Sequence, residues 1–96
     1  GTAAQFHGPY YLTTDGVSLY VLEFLGNRIR RINLANAAVS TLAGSGDTGF
    51  ADNADGILAS FSNPHGILLH QGTLYVADRY NERIRAVNPV TGAVTT

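Results

Sequence analysis

The sequence predicts an all-β chain built from two four-stranded antiparallel sheets, each formed by one copy of a repeated unit. Three observations carry this. The stretch LYVADRYNERIRAVNPVTGAVTT at 74–96 nearly repeats LYVLEFLGNRIRRINLANAAVST at 19–41, an offset of 55 residues that holds without a gap. Short runs rich in β-branched and aromatic residues alternate with turn residues in both copies. Only one short stretch, 55–63, carries helix start and stop signals.

Comparing the chain with itself sets the organisation. Gly1, Ala4, Phe6 and Pro9 return as Gly56, Ala59, Phe61 and Pro64. Arg28-Ile29-Arg30, Asn33, Val39 and Thr41 return as Arg83-Ile84-Arg85, Asn88, Val94 and Thr96. Residues 1–55 are thus a first unit with its connector and 56–96 a second unit. The connector is LAGSGDTGFADNAD, 42–55.

In the second unit the expected strands are GILLH (66–70), TLYVAD (73–78), RIRAVN (83–88) and AVTT (93–96), broken at His70-Gln71-Gly72 and Val90-Thr91-Gly92. The first unit offers YLTT, SLYVLE, RIRRIN and AVSTLA, with Asp15-Gly16 as a turn signal. DGILASFSN, 55–63, reads as a turn or two of helix, opened by Asp55 and ended before Pro64, with Phe61 as its buried plug and Phe6 in the same place in the first unit. A two-residue turn at Tyr80-Asn81 sets Asp78 opposite Arg83, and one at Leu25-Gly26 sets Glu23 opposite Arg28. An opposed acid-base pair contributes about 0.2–1 kcal/mol and pins the register. Asn81 and Gly26 then take the turn position that calls for positive φ.

Composition narrows the function classes. The 96 residues contain no cysteine, which removes disulfides and thiolate metal sites. Six basic residues against seven acidic ones give a formal charge of −1, which is not the footprint of a nucleic-acid binder. No apolar run is long enough to cross a membrane as a helix, and GTAAQF has neither region of a signal peptide. With no methionine at all, a processed product, an excised piece and a designed chain are all open readings.

GILASFSNPHGILLHQGTLYVADRYNERIRAVNPVTGAVTT, 56–96, resembles an NHL repeat, whose pattern runs glycine, alanine, phenylalanine, proline-x-glycine-isoleucine, LYVAD, asparagine and RIR. The linking TLAGSGDTGFADNADG resembles the long connector of bacterial members. The first copy departs from the pattern at Tyr11 (for Gly66), Leu22-Glu23 (for Ala77-Asp78) and Gly26 (for Asn81). The resemblance implies blades of a β-propeller, sheets packed face to face around an axis. Leu74 and Val76 would then meet one neighbouring blade, Tyr75 and Ala77 the other. Two blades cannot close a ring. Their bare faces, lined by Leu19, Val21, Tyr75 and Ala77, call for self-association, three chains giving six blades, or for further blades of a longer chain.

For function the resemblance implies a binding and scaffolding module for a protein or small ligand, with no cofactor and a secreted bacterial origin. The candidate contact residues are the rim positions His65, His70, Arg79, Tyr80 and Glu82, with Tyr10, Asp15 and Phe24 as counterparts. Some relatives are lyases or hydrolases. Here His7, His65 and His70 come without HExxH or GxSxG, and no catalytic residue is assigned. Other relatives bind RNA, but the basic residues are six arginines, four of them in RIR triplets beside Glu23 and Asp78. Asp47, Asp52 and Asp55, with Asn53, gather hard oxygens of the kind calcium takes. Their spacing is not that of an EF-hand loop, and long turns need the same residues, so no metal site is assigned.

Overall fold

Pleated runs whose alternate side chains are apolar form strands where the sequence places them. The structure, a computed structural model, describes residues 5–96, so the repeat positions Gly1 and Ala4 lie outside the described residues. Sheet 1 comprises β1 (Pro9–Thr14), β2 (Ser18–Glu23), β3 (Arg28–Asn33) and β4 (Val39–Ala43). Sheet 2 comprises β5 (Gly66–His70), β6 (Thr73–Asp78), β7 (Arg83–Val87) and β8 (Val94–Thr95). Both are antiparallel, with strands in chain order. The 55–63 stretch contracts to one 3-10 turn, Gly56–Leu58, whose N-cap Asp55 accepts from Ile57 N.

The turns follow their residues. Gln71 and Gly72 both have positive φ, as a tight two-residue hairpin demands, and Asp15 Oδ1 accepts from Val17 N and Ser18 N. The β2–β3 and β6–β7 hairpins keep the expected register, Glu23 opposite Arg28 and Asp78 opposite Arg83. Their turns differ from expectation. Arg79–Asn81 winds as a 3-10 turn, and positive φ falls one residue later, at Glu82 (54°) and Asn27 (55°). Gly26 is small for another reason: a Cβ there would lie 2.7 Å from Glu23 Oε1. Asn81 uses its amide, which donates to Gly49 O and Asp78 Oδ2.

The core forms between unlike faces. Leu74 and Val76, with Ile67, Val87 and Val94, cluster with Tyr20, Leu22 and Ile29 of sheet 1. In the repeat, Leu74 and Val76 correspond to Leu19 and Val21, on the opposite face of β2 from Tyr20 and Leu22. One face of sheet 2 therefore packs on the other kind of face of sheet 1. The first strands also touch, through Leu69 N and Thr13 Oγ1, and Arg31 Nη1 reaches across to Pro89 O. On the outward face of sheet 2 Tyr75 is exposed, as expected, together with Leu68 and Ile84, whereas Ala77 is half-buried. On sheet 1 the expectation needs correction: Leu19 is half-buried and Val21 is 8% exposed, and the open apolar side chain is Leu12, the cross-strand partner of Val21.

The connector lies across sheet 2. Asn53 and Val94 exchange both backbone hydrogen bonds at the outer edge, Ala51 bridges Ser60, and Gly49 N donates to Phe61 O. Where the connector starts and ends, the backbones of Leu42, Gly56 and Gly92 touch. A Cβ on Gly56 would fall on the carbonyl oxygens of Gly92 and Leu42. Gly56→Ala is expected to cost more than about 1 kcal/mol, read as a lower urea midpoint with unchanged slope. An unaltered midpoint would show that the two segments part freely.

Candidate functional site

Two side-chain clusters are built at the end of the sheets that carries the β2–β3 and β6–β7 loops. The first is open to solvent. Pro64 leads His65 to the start of β5, where its ring stacks edge-on to Phe24 of the β2–β3 loop, centroids 4.6 Å apart. Tyr10, at the start of β1, closes the group at 5.3 Å from His65 and 5.9 Å from Phe24. His65 Nδ1 lies 2.7 Å from Asn63 O, to which it donates, leaving Nε2 to accept from Arg79 Nη1 at 3.1 Å. Arg79 in turn lies over the Tyr80 ring.

Of the expected rim residues the structure thus unites His65, Arg79, Tyr80 and Phe24, with Tyr10. Glu82 is the exposed left-handed cap of the same loop. His70 and Asp15 are elsewhere: His70 pairs with Thr73 at the far end of β5, and Asp15 holds the β1–β2 turn. His7 stays near the β2–β3 loop, its backbone N–H donating to Glu23 and its carbonyl accepting from Gly26. The three histidines therefore do not converge. Among the described residues no group of three His, Cys, Asp or Glu side chains is placed to hold a metal. The cluster offers aromatic faces and a guanidinium, which are contact chemistry for binding.

The second cluster is buried and was not foreseen from the sequence. Arg85 on β7 is fully buried beside the equally buried Asp78, with Nη1 2.8 Å from Oδ2. The same Nη1 donates to Ser60 O, while Nη2 and Nε turn to the connector, donating to Ala51 O and to Asp52 Oδ1. Phe50 and Phe61 cover the guanidinium, their ring centroids 4.7 and 5.2 Å from it. The expected partner of Asp78, Arg83, instead lies over Phe50. An aspartate is short, and the arginine one step along the same face reaches its carboxylate. The signal available in the sequence was the repeated RIR triplet, whose second arginine sits on the same strand face as the first.

Asp52, one of the calcium candidates, spends its oxygens on Arg85 and Thr96; Asp55 caps the 3-10 turn, and Asp47 N donates to Ser45 Oγ. Burial pulls the Asp52 carboxyl up, but hydrogen bonds from Arg85 and Thr96 and the Arg85 charge outweigh it and hold the group below its ordinary value of 3.8. Asp15 is held down by the Ser18 and Val17 amides. A carboxyl depressed in the folded state takes its proton more readily when unfolded. Its stabilisation is present above its ordinary value and is lost as pH falls through the folded value. Melting temperatures taken from about pH 6 down to about pH 2.5 should fall, and Asp52→Asn should flatten that fall. An equally steep profile in the variant would assign acid lability to other groups.

The arginines of the RIR triplets are largely engaged: Arg28 and Arg30 with Glu23, and Arg85 with Asp52 and Asp78. No family model matches the chain, and no curated protein matches it significantly.

Proposed function

We propose that the chain is a two-blade unit of a β-propeller of the NHL-repeat kind, which completes its ring by head-to-tail self-association and presents its loop rim as a binding and scaffolding surface for a protein or small ligand. The observation that carries this reading is the packing of unlike faces. Leu74 and Val76 of sheet 2 meet Tyr20 and Leu22 of sheet 1, so the chain is left with one face of each kind. The same relation applied once more seats the Leu12–Val21 face of one chain on the Leu68–Tyr75–Ile84 face of the next, a heterologous contact that closes when its rotation closes. Burial of these side chains drives the association. Tyr10, Phe24, His65 and Arg79 would then line the rim as the contact set for a partner.

Three chains give six blades. Light scattering should return about three times 10.2 kDa, with circular dichroism showing a folded β protein. A folded, stable species at 10.2 kDa would overturn the ring.

A further inference from the structure

The two copies build the same arginine socket but fill it unequally. In sheet 2 Arg85 Nη1 takes Ser60 O and Asp78; in sheet 1 Arg30 Nη1 takes Gln5 O and Glu23, the residues at the same repeat positions. Phe61 lies 5.2 Å from the Arg85 guanidinium, and Phe6 lies 5.4 Å from that of Arg30. Ser62 N donates to Asp78 as His7 N donates to Glu23. In these four contacts the sockets match.

They part at the connector. Arg85 Nε and Nη2 are saturated by Asp52 and Ala51, and Phe50 also lies against the guanidinium. Arg30 Nε is buried with no partner among the described residues, although Arg30 is held in place through Nη1. A buried donor of a charged group that lacks an acceptor is costly, and such groups are found paired. Charge shows the same shortfall. Sheet 2 sets Arg85 against both Asp78 and Asp52, whereas in sheet 1 Arg28 and Arg30 share Glu23 alone. Phe6 is 37% exposed where Phe61 is fully buried. At the edge, Val94 exchanges hydrogen bonds with Asn53; its counterpart Val39 pairs inward with Ile32, with no bridge on its outer side among the described residues. Each difference is one that a connector would remove.

We infer that the Arg30 face of sheet 1 is an acceptor site for the acidic connector of a preceding repeat unit, a segment with the aromatic, small, carboxylate order of Phe50-Ala51-Asp52. The carboxylate takes the Nε–Nη2 edge of Arg30, the carbonyl before it takes Nη2, and the aromatic ring covers the guanidinium and Phe6. The chain's own connector is held on sheet 2, so the occupant comes from another unit. This rests on the proposed reading of the two sheets as copies of one repeat unit, but not on ring closure. In sheet 2 the connector and the neighbouring sheet occupy the face together, so connector and ring contacts do not compete for it.

The test uses a fluorescent peptide of residues 44–55, GSGDTGFADNAD, titrated against the full chain. Saturable binding of one peptide per chain is expected, weakened by salt. Asp52→Asn in the peptide should weaken it by about tenfold or more, as loss of a hydrogen bond between charged groups does. Arg30→Met in the chain should do the same. If that variant fails to fold, the peptide variants Asp52→Asn and Phe50→Ala against the unaltered chain carry the test. No saturable binding, or binding that Asp52→Asn leaves unchanged, overturns the site. Mass measured on the same samples separates the two readings. A monomer that takes up the peptide upholds the acceptor site and sinks the ring, whereas a trimer that ignores it upholds the ring and sinks the acceptor site.

Discussion

Phe61→Ala is expected to lower the unfolding free energy by about 3–5 kcal/mol, a large share of the stability available to a chain of this size. The ring is fully buried in the cluster that joins the two sheets. It also supports one face of the Arg85 guanidinium, and its carbonyl anchors Gly49 of the connector. Truncation thus opens a cavity where sheet, connector and ion pair meet. Phe6→Ala is the internal control. Its ring is already 37% exposed, so the sequence expectation of two equivalent plugs gives way to one plug and one half-open ring. Urea unfolding should show a much smaller loss for Phe6→Ala. A loss below about 1 kcal/mol for Phe61→Ala would mean that the ring is not part of the core.

Arg85→Met should cost a similar amount, about 3–5 kcal/mol, for an electrostatic reason. The substitution keeps much of the side-chain volume but strands the buried carboxylate of Asp78 with only Ser62 N and the Asn81 amide as donors. It also frees Asp52 and the Ala51 carbonyl, which tie the connector down. Adding Asp78→Asn removes the stranded charge, so the double variant should be less destabilised than the sum of the two single changes. A cycle of the four proteins measures that coupling. Additive losses would show that Asp78 and Arg85 act independently.

The strands were legible because alternation and repetition are local properties. All eight appear with ends shifted by at most a few residues, and the Asp78–Arg83 and Glu23–Arg28 registers follow from counting back from each turn. The position of positive φ was not legible, because it depends on the 3-10 winding of Arg79–Asn81 and not on which residue tolerates it best. Nor was the partner of Asp78, since Arg83 and Arg85 lie on the same face and the choice is made by reach and by what the connector supplies. The open cluster was legible in part. Adjacency to β5 and to the two hairpin loops brings His65, Phe24 and Arg79 together, while His70 leaves by the length of a strand.

The route of the connector also bears on the order of folding. Every pairing within a sheet joins strands consecutive in the chain, so each sheet closes by short loops. The bonds from Arg85 to Ala51 and Asp52 span 34 and 33 residues, and those from Thr96 to Asp52 span 44. Long loops are entropically slow to close, so docking of the connector belongs to the late side of the folding barrier. Weakening it should leave the refolding rate of the chain nearly untouched and raise its unfolding rate. The clasp around Arg85 is thereby a brake on unfolding, which lengthens the lifetime of the folded chain without hastening its formation.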